Sequence, residues 1–220
     1  MNYLDYLRTD KFPHFWCSGC GNGIVLCAIA RAFEELDLTL ENTVVVTGIG
    51  CWGKADDYVR TNSFHGTHGR ALAFATGIKL ANPSLNVVVL MGDGDGITIG
   101  GNHFIHAARR NVDVTAILVN NFNYGMTGGQ YSGTTPEERI TTTSRYGHIE
   151  EGFDICAVAK AAGARYVARA PQKTPAAEKP HPGRHQEAGL CLYRGHLPLP
   201  HPLWPQQRHA QPRRPDALGE

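Results

Sequence analysis

The sequence predicts an α/β fold, a mostly parallel sheet with helices on both faces. Three observations carry this. Short β-branched runs, Thr43 to Thr47, Asn86 to Met91 and Val112 to Val119, read as strands buried on both sides. Helix-like segments alternate with them. Glycines, amides and carboxylates follow the carboxyl ends of the runs, the edge at which open parallel sheets bind ligands.

Taken in order, residues 1 to 15 are a short lead-in. They carry Asp5, Arg8, Asp10 and Lys11 and lack the apolar core of a signal peptide, so a cytoplasmic location is expected. Next comes His14-Phe-Trp-Cys17-Ser-Gly-Cys20-Gly-Asn-Gly. Its Cys-x-x-Cys spacing lets one turn place two thiolates on one metal centre, and it fits a zinc knuckle, a redox dithiol or an iron–sulfur cluster. A second Cys-x-x-Cys, as in a zinc ribbon, does not occur, and no strand precedes the motif as in a thioredoxin-like site. Gly21 to Leu36 reads as a helix with Ile24, Leu26, Ile29, Ala30 and Phe33 on its apolar face.

The strand Thr43 to Thr47 leads into Gly48-Ile49-Gly50-Cys51-Trp52. This loop backbone can wrap a cluster or lie against a cofactor. Lys54 to Thr61 reads as loop. His65-Gly-Thr-His68-Gly69-Arg70 then opens a small-residue helix, Ala71 to Leu80, where free N–H groups and cationic side chains suit an anion. Asn86 to Met91 is a strand and Gly101 to Arg110 a helix. His103 and His106 on that helix have no carboxylate beside them, so they read as packed or interface residues. Phe153 to Ala162 is helix-like, and Ala164 to Ala168 is a short strand. Cys27 and Cys156 sit among aliphatic residues and read as small hydrophobes.

With 220 residues the chain has room for one ample domain and a buried core. Charged residues are 19% and the net charge is +1, which leaves no nucleic-acid footprint. No apolar run reaches membrane-spanning length. Thiols in a cytoplasmic protein are reduced or metal-bound.

The centre of the chain is Met91-Gly-Asp93-Gly94-Asp95 together with Asn120-Asn121-Phe-Asn123-Tyr-Gly125-Met126-Thr127. Asp93 and Asn121 are 28 positions apart, the length of one right-handed crossover. That joins an anionic and a neutral amide oxygen, ligands that a magnesium ion takes while it holds a diphosphate. Gly-Asp-Gly alone is an ordinary turn sequence; its pairing with Asn-Asn after a second buried strand resembles the thiamine diphosphate motif. The resemblance implies that Asp93, the Asn121 side chain and the Asn123 carbonyl hold Mg²⁺ on the cofactor.

A wider set of stretches resembles one family: Phe15-Trp-Cys17-Ser-Gly-Cys20-Gly, Gly48-Ile-Gly-Cys51, His65 to Thr76, Gly92-Asp-Gly-Asp95 and Asn120 to Gln130. It is the β subunit of the 2-oxoacid:ferredoxin oxidoreductases, most similar to the 2-oxoglutarate type, over about residues 11 to 170. The resemblance implies a thiamine-diphosphate-binding fold. It implies oxidative decarboxylation of a 2-oxoacid with coenzyme A to an acyl-CoA, electrons passing through a [4Fe–4S] cluster to ferredoxin. Cys17, Cys20 and Cys51 are then cluster ligands. Gly94, Asp95, Gly125, Met126 and Thr127 line the cofactor, with Ile49, Gly50, Cys51, Trp52, His68, Gly69 and Arg70 beside it. The glutamate that activates the cofactor comes from the α subunit in this family, so no catalytic acid–base residue is assigned here. A non-redox thiamine diphosphate decarboxylase or synthase with structural cysteines, and an inactive truncated subunit, are the competing readings. A hydride-transferring Rossmann enzyme lacks its glycine fingerprint here.

The tail departs from this pattern. The domain carrying both sites is read as 1–170, and 171–220 as an aberrant Pro-rich tail, with ten of the chain's thirteen prolines. Proline at that density excludes helix and central strand, so no further helix or strand of the sheet is expected and the tail reads as disordered. The family's fourth cluster cysteine, in an Ile/Val-Ser-x-Cys-Pro-Thr loop, is absent, and Cys191 sits in an unrelated Gly-Leu-Cys-Leu-Tyr. Codons for Leu192 to Gln207, read one base later, can spell Ile-Glu-Val-Ile-Ser-His-Cys-Pro-Thr-Leu-Tyr-Gly-Arg-Asn-Asn. This points to a slip of the reading frame near residues 171 to 178.

Overall fold

Four parallel strands run inward from one edge of the sheet: β1 (Thr43–Thr47), β2 (Asn62–His65) at the edge itself, β3 (Asn86–Gly92) and β4 (Thr115–Asn120). The computed structural model describes residues 1–171 and, as backbone, 189–194. A two-stranded ladder, β5 (Asn123–Tyr124) with β6 (Gln130–Tyr131), stands apart from the main sheet. The sheet is completed by β7 (Tyr166–Pro171) and β8 (Gly189–Arg194), in the order β2-β1-β3-β4-β8-β7, with β8 antiparallel to both neighbours.

The central strands are apolar on both faces because each face meets a different layer. Val44, Val46, Val87, Val89, Met91, Ala116 and Leu118 point to one side. There they pack on α2 (Ala71–Ala81), α3 (Gly101–Arg110) and α4 (Ile155–Ala161) through Leu72, Phe104 and Ile155. Val45, Val88, Leu90, Ile117 and Val119 point to the other. They meet α1 (Asn22–Glu35), the 3₁₀ turns Trp52–Tyr58 and the N-terminal Tyr6 and Leu7. Alternation of period two on two buried faces is what makes the runs in the sequence look continuous. No helix among the described residues is long and apolar enough to cross a membrane.

Several expectations need correction. The buried face of α1 uses Val25 with Leu26, Ile29, Ala30 and Phe33, while Ile24 is exposed. Rotation by one residue is all that separates the two faces. Residues 54–61 are largely a 3₁₀ turn, not loop. β2 was not anticipated, since all four of its residues are exposed and an edge strand carries no apolar period. The strand expected at 112–119 begins at Thr115, and the one expected at 164–168 lies at 166–171. β8 is a strand where none was expected. It lies in a proline-free stretch between Pro182 and Pro198, and β4 and β7 leave their backbone groups free to pair with it. The expected cysteine loop at the fourth cluster position lies outside the described residues, as do the remaining tail residues 172–188 and 195–220.

Leu90 sits fully buried at the centre of β3. Replacing it by alanine is expected to cost about 2–5 kcal/mol of folding stability. Urea denaturation followed by circular dichroism measures this.

Candidate functional site

The sheet order places a switch point between β1 and β3. After β1 the chain passes to the α1 layer through Trp52–Tyr58; after β3 it passes to the opposite layer through α3. The two exits diverge and leave a cleft at the carboxyl edge, the usual ligand site of open parallel sheets. The cleft is open to solvent. It is lined by the ends of β1, β3 and β4 and by the loop 121–127.

Asp93 follows β3 directly and is 1% exposed. Burial pushes its carboxyl above the ordinary aspartate range, opposed by the hydroxyls of Ser132 and Thr134. Ser132 Oγ donates to Oδ2 at 2.5 Å and Thr134 Oγ1 at 2.7 Å. The other oxygen, Oδ1, lies 2.8 Å from the side-chain oxygen of Asn121, which also lies 2.8 Å from the Asn123 carbonyl oxygen. Three oxygens so close repel one another unless a cation sits among them or the Asn121 amide turns its nitrogen inward. Adjacent oxygens on an octahedral magnesium ion, with bonds of about 2.0–2.1 Å, stand about 2.8–3.0 Å apart. The spacing and the all-oxygen donor set therefore fit Mg²⁺. Among the described residues no three His, Cys, Asp or Glu side chains gather on a single ion, and this set uses an amide and a backbone carbonyl instead.

Asp95, two residues on, is 2% exposed and faces inward. Its Oδ1 accepts from Gly69 N at 2.7 Å, from Ile49 N at 3.2 Å and pairs with His68 Nδ1 at 2.8 Å. Burial raises its pKa and these partners oppose the rise. Its Oδ2 is buried without a partner. Gly48 is required beneath it, since a Cβ there would lie 2.2 Å from Oδ2. Gly94 is likewise required, as its Cβ would meet the Tyr124 ring at 2.3 Å.

Cys17 and Cys20 are exposed in a turn closed by Cys20 N donating to Cys17 O at 3.2 Å. Cys51 is half-buried and lines the cleft. Burial pushes its thiol pKa up, and Cys17 and Cys20 push it further. The three thiols are thus electrostatic neighbours, and among the described residues they do not gather on a single ion. Trp16 Nε1 donates to the Cys51 carbonyl at 2.6 Å. The Trp16 ring packs on His14, Tyr58 and Trp52 with centroids 5.0, 5.0 and 5.6 Å away.

Of the residues assigned from the sequence, Ile49, Gly50, Cys51, Trp52, His68, Asp93, Gly94, Asp95, Asn121, Asn123, Gly125, Met126 and Thr127 line this cleft. Gly69 reaches it through Asp95. Arg70 does not line it: its side chain is exposed and donates to the His68 carbonyl at 3.1 Å. At the first turn of α2 the side chain points outward while the backbone faces in. Asn22 and Tyr124 line the cleft and had no role assigned. Ser132 and Thr134 carry no sequence signal: nothing local in Tyr-Ser-Gly-Thr-Thr-Pro announces a contact with residue 93. His103 and His106 stay clear of the cleft.

A family model described as thiamine pyrophosphate enzyme, C-terminal TPP binding domain, matches residues 46–180, more than half of the chain. The chain belongs to that family of thiamine diphosphate enzymes. It is 60% identical over 167 residues to the 2-oxoglutarate synthase subunit KorB of Archaeoglobus fulgidus, covering 76% of this chain and 62% of the relative. It is 46% identical over 155 residues to the 2-oxoglutarate oxidoreductase subunit KorB of Mycobacterium tuberculosis, covering 70% and 42%. A solved structure of 2-oxoglutarate:ferredoxin oxidoreductase from Magnetococcus marinus, with 2-oxoglutarate, coenzyme A and succinyl-CoA bound, matches with a TM-score of 0.73. It is 40% identical, covering 76% of this chain and 56% of that one. The chain spans about three-fifths of the length of its archaeal curated relatives.

Gly48→Ala is expected to break the Asp95 hub while leaving the fold, because the new methyl group can only be placed by moving a carboxylate held by three partners. The thermal stabilisation given by thiamine diphosphate with Mg²⁺ should fall sharply, and differential scanning fluorimetry with and without both ligands reads it.

Proposed function

We propose that this chain is the β subunit of a 2-oxoacid:ferredoxin oxidoreductase acting on 2-oxoglutarate. With an α subunit it would decarboxylate the 2-oxoacid oxidatively, pass the acyl group to coenzyme A and deliver electrons through a [4Fe–4S] cluster to ferredoxin, in the cytoplasm. One observation carries the reading: Cys51 and the oxygens of Asp93, Asn121 and Asn123 line a single cleft. That joins a diphosphate-binding ion site to a cysteine loop suited to electron transfer. Similarity to the KorB subunits and to a structure holding 2-oxoglutarate and coenzyme A supports the substrate class.

In this reading Asp93, Asn121 and the Asn123 carbonyl hold Mg²⁺ on the cofactor's diphosphate. Thiamine diphosphate supplies carbanion-stabilising chemistry when bound. His68 lines the same cleft and would take part in holding the diphosphate, and Asp95 keeps the β1 and β2 loops in place. The loop Gly125–Thr127 covers the cleft. Cys17, Cys20 and Cys51 hold the cluster, with its fourth ligand from elsewhere. Asp93 and Asp95 are the only carboxylates of the cleft among the described residues. Both are committed, which agrees with an activating glutamate contributed by the α subunit. The chain alone should not turn over.

Anaerobic co-expression with an α subunit of the family is expected to give a brown protein that reduces a viologen dye only with 2-oxoglutarate and coenzyme A. An iron-free preparation with full activity toward the 2-oxoacid would refute the electron-transfer role. Calorimetry should show thiamine diphosphate binding only with Mg²⁺, and Asp93→Ala should abolish it.

The tail's frame slip is part of the same proposal, and sequencing the gene across codons 165 to 210 tests it. Codons unable to spell the shifted cysteine loop would sink it.

A further inference from the structure

The segment Ser132–Thr135 has no part in the function above, yet Ser132, Thr134 and Thr135 are each 1% exposed. Hydroxyls are rarely buried so completely in a loop without a specific partner. Here the partner of two of them is Asp93. Both donate to the same oxygen, Oδ2, from Ser132 at 2.5 Å and from Thr134 at 2.7 Å. The single Thr134 proton has a second acceptor, Asn120 Oδ1, at 2.9 Å. That amide oxygen already receives Phe122 N at 3.1 Å, and a carboxylate is the stronger acceptor. The loop is pinned in turn by Gly133 N donating to Thr98 Oγ1 at 2.9 Å and by Thr135 Oγ1 donating to the Phe122 carbonyl at 2.6 Å.

The consequence is a division of labour within one carboxylate. Two hydroxyls saturate Oδ2 and fix the rotation of the group. Oδ1 is thereby turned toward the Asn121 side-chain amide, 2.8 Å away, which in turn lies 2.8 Å from the Asn123 carbonyl oxygen. A carboxylate free to rotate would not keep Oδ1 aimed at the Asn121 side-chain amide. We propose that Ser132 and Thr134 are positioning residues for the divalent cation: they aim Asp93 Oδ1 and thereby set Mg²⁺ affinity, and through it thiamine diphosphate affinity. This rests on the reading of Asp93, Asn121 and Asn123 as the Mg²⁺ site. The chain from Asn121 to Thr134 is then held at both ends by the ion site: Asn121 and Asn123 hold it at one end and the two hydroxyls at the other. The cofactor-facing Gly125–Thr127 and the β5–β6 ladder lie in between.

The test titrates MgCl₂ into the full-length chain with saturating thiamine diphosphate, reading cofactor binding by calorimetry and intrinsic fluorescence. Ser132→Ala and Thr134→Val are each expected to raise the Mg²⁺ concentration at half-saturation by about 10- to 100-fold. Thr134→Ser keeps the hydroxyl and should bind as the parent does. Thr135→Val removes a buried hydroxyl that holds the Ser132 amide and the Phe122 carbonyl but does not touch Asp93, and is expected to raise the half-saturation concentration by less than either Ser132→Ala or Thr134→Val. Thermal unfolding in EDTA accompanies each variant, so that a loss of affinity is separated from a loss of fold. The proposal is overturned if Ser132→Ala and Thr134→Val bind Mg²⁺ like the parent. It is equally overturned if Thr135→Val weakens binding as much as Thr134→Val does, because loop integrity and not the aim of Asp93 would then be the cause. Asp93→Ala separates the two levels. If it leaves Mg²⁺-dependent binding intact, the ion-site reading itself fails; if it abolishes binding while the hydroxyl variants do not alter it, only the positioning role fails.

Discussion

A buried carboxylate holds the carboxyl edge of this sheet together. Asp95 offers one oxygen to the amide of Ile49 after β1, the amide of Gly69 before α2 and the ring of His68. Removing a carboxylate from water is costly, and only several well-directed donors offset it. The loops after β1 and β2 are therefore committed to one arrangement around β3. Gly48 has to be glycine because the carboxylate occupies the space of its side chain. The lining residues of the β1 and β2 loops inherit their positions from this knot.

Asp93 shows the opposite use of the same side chain two residues earlier. Both carboxyls are buried and both are pushed upward by desolvation. Asp95 has three protein partners on Oδ1, which tie the β1 and β2 loops together. Asp93 is satisfied on one oxygen only, and its other oxygen meets further oxygens at the mouth of the cleft. The chain can divide the two roles because β3 passes at once into a π-helical turn, Gly94–Ile99, a conformation often found at functional sites. Glycines at 94 and 96 allow that turn to lie against Tyr124 and Leu118 without a clash.

The cysteine loop is attached to this frame from the other layer. Cys51 follows the same β1 exit that supplies the Ile49 amide, so the thiol and the Asp95 knot share one loop. Trp16 grips the Cys51 carbonyl and brings the Cys17–Cys20 turn alongside. Its ring lies among His14, Tyr58 and Trp52, and Trp52 also lines the cleft. A wall of aromatic side chains therefore backs both the cofactor cleft and the thiols. Such a wall excludes water from one side of any centre bound there and stiffens the approach between the two.

The central strands and most helices were legible because burial on two faces leaves a long-lived apolar signature. Thr43–Thr47 and Gly101–Arg110 fall where the sequence put them. The strand ends also announced the cleft, since Gly-Asp-Gly-Asp and Asn-Asn-Phe-Asn are local patterns at a known edge. The sequence by itself thus determined the sheet core and which residues stand at its carboxyl edge. What only the tertiary structure decided depends on contacts between distant segments. β2 is polar and exposed, so its place follows from pairing with β1 alone. β8 pairs with β4 and β7 across a long gap in sequence. Which of two aspartates faces inward, and that Ser132 and Thr134 aim the other, is set by hydrogen bonds spanning 26 to 46 residues. Hydrogen bonds of that span leave no period in the chain, because their partners are chosen by the fold and not by their neighbours in sequence.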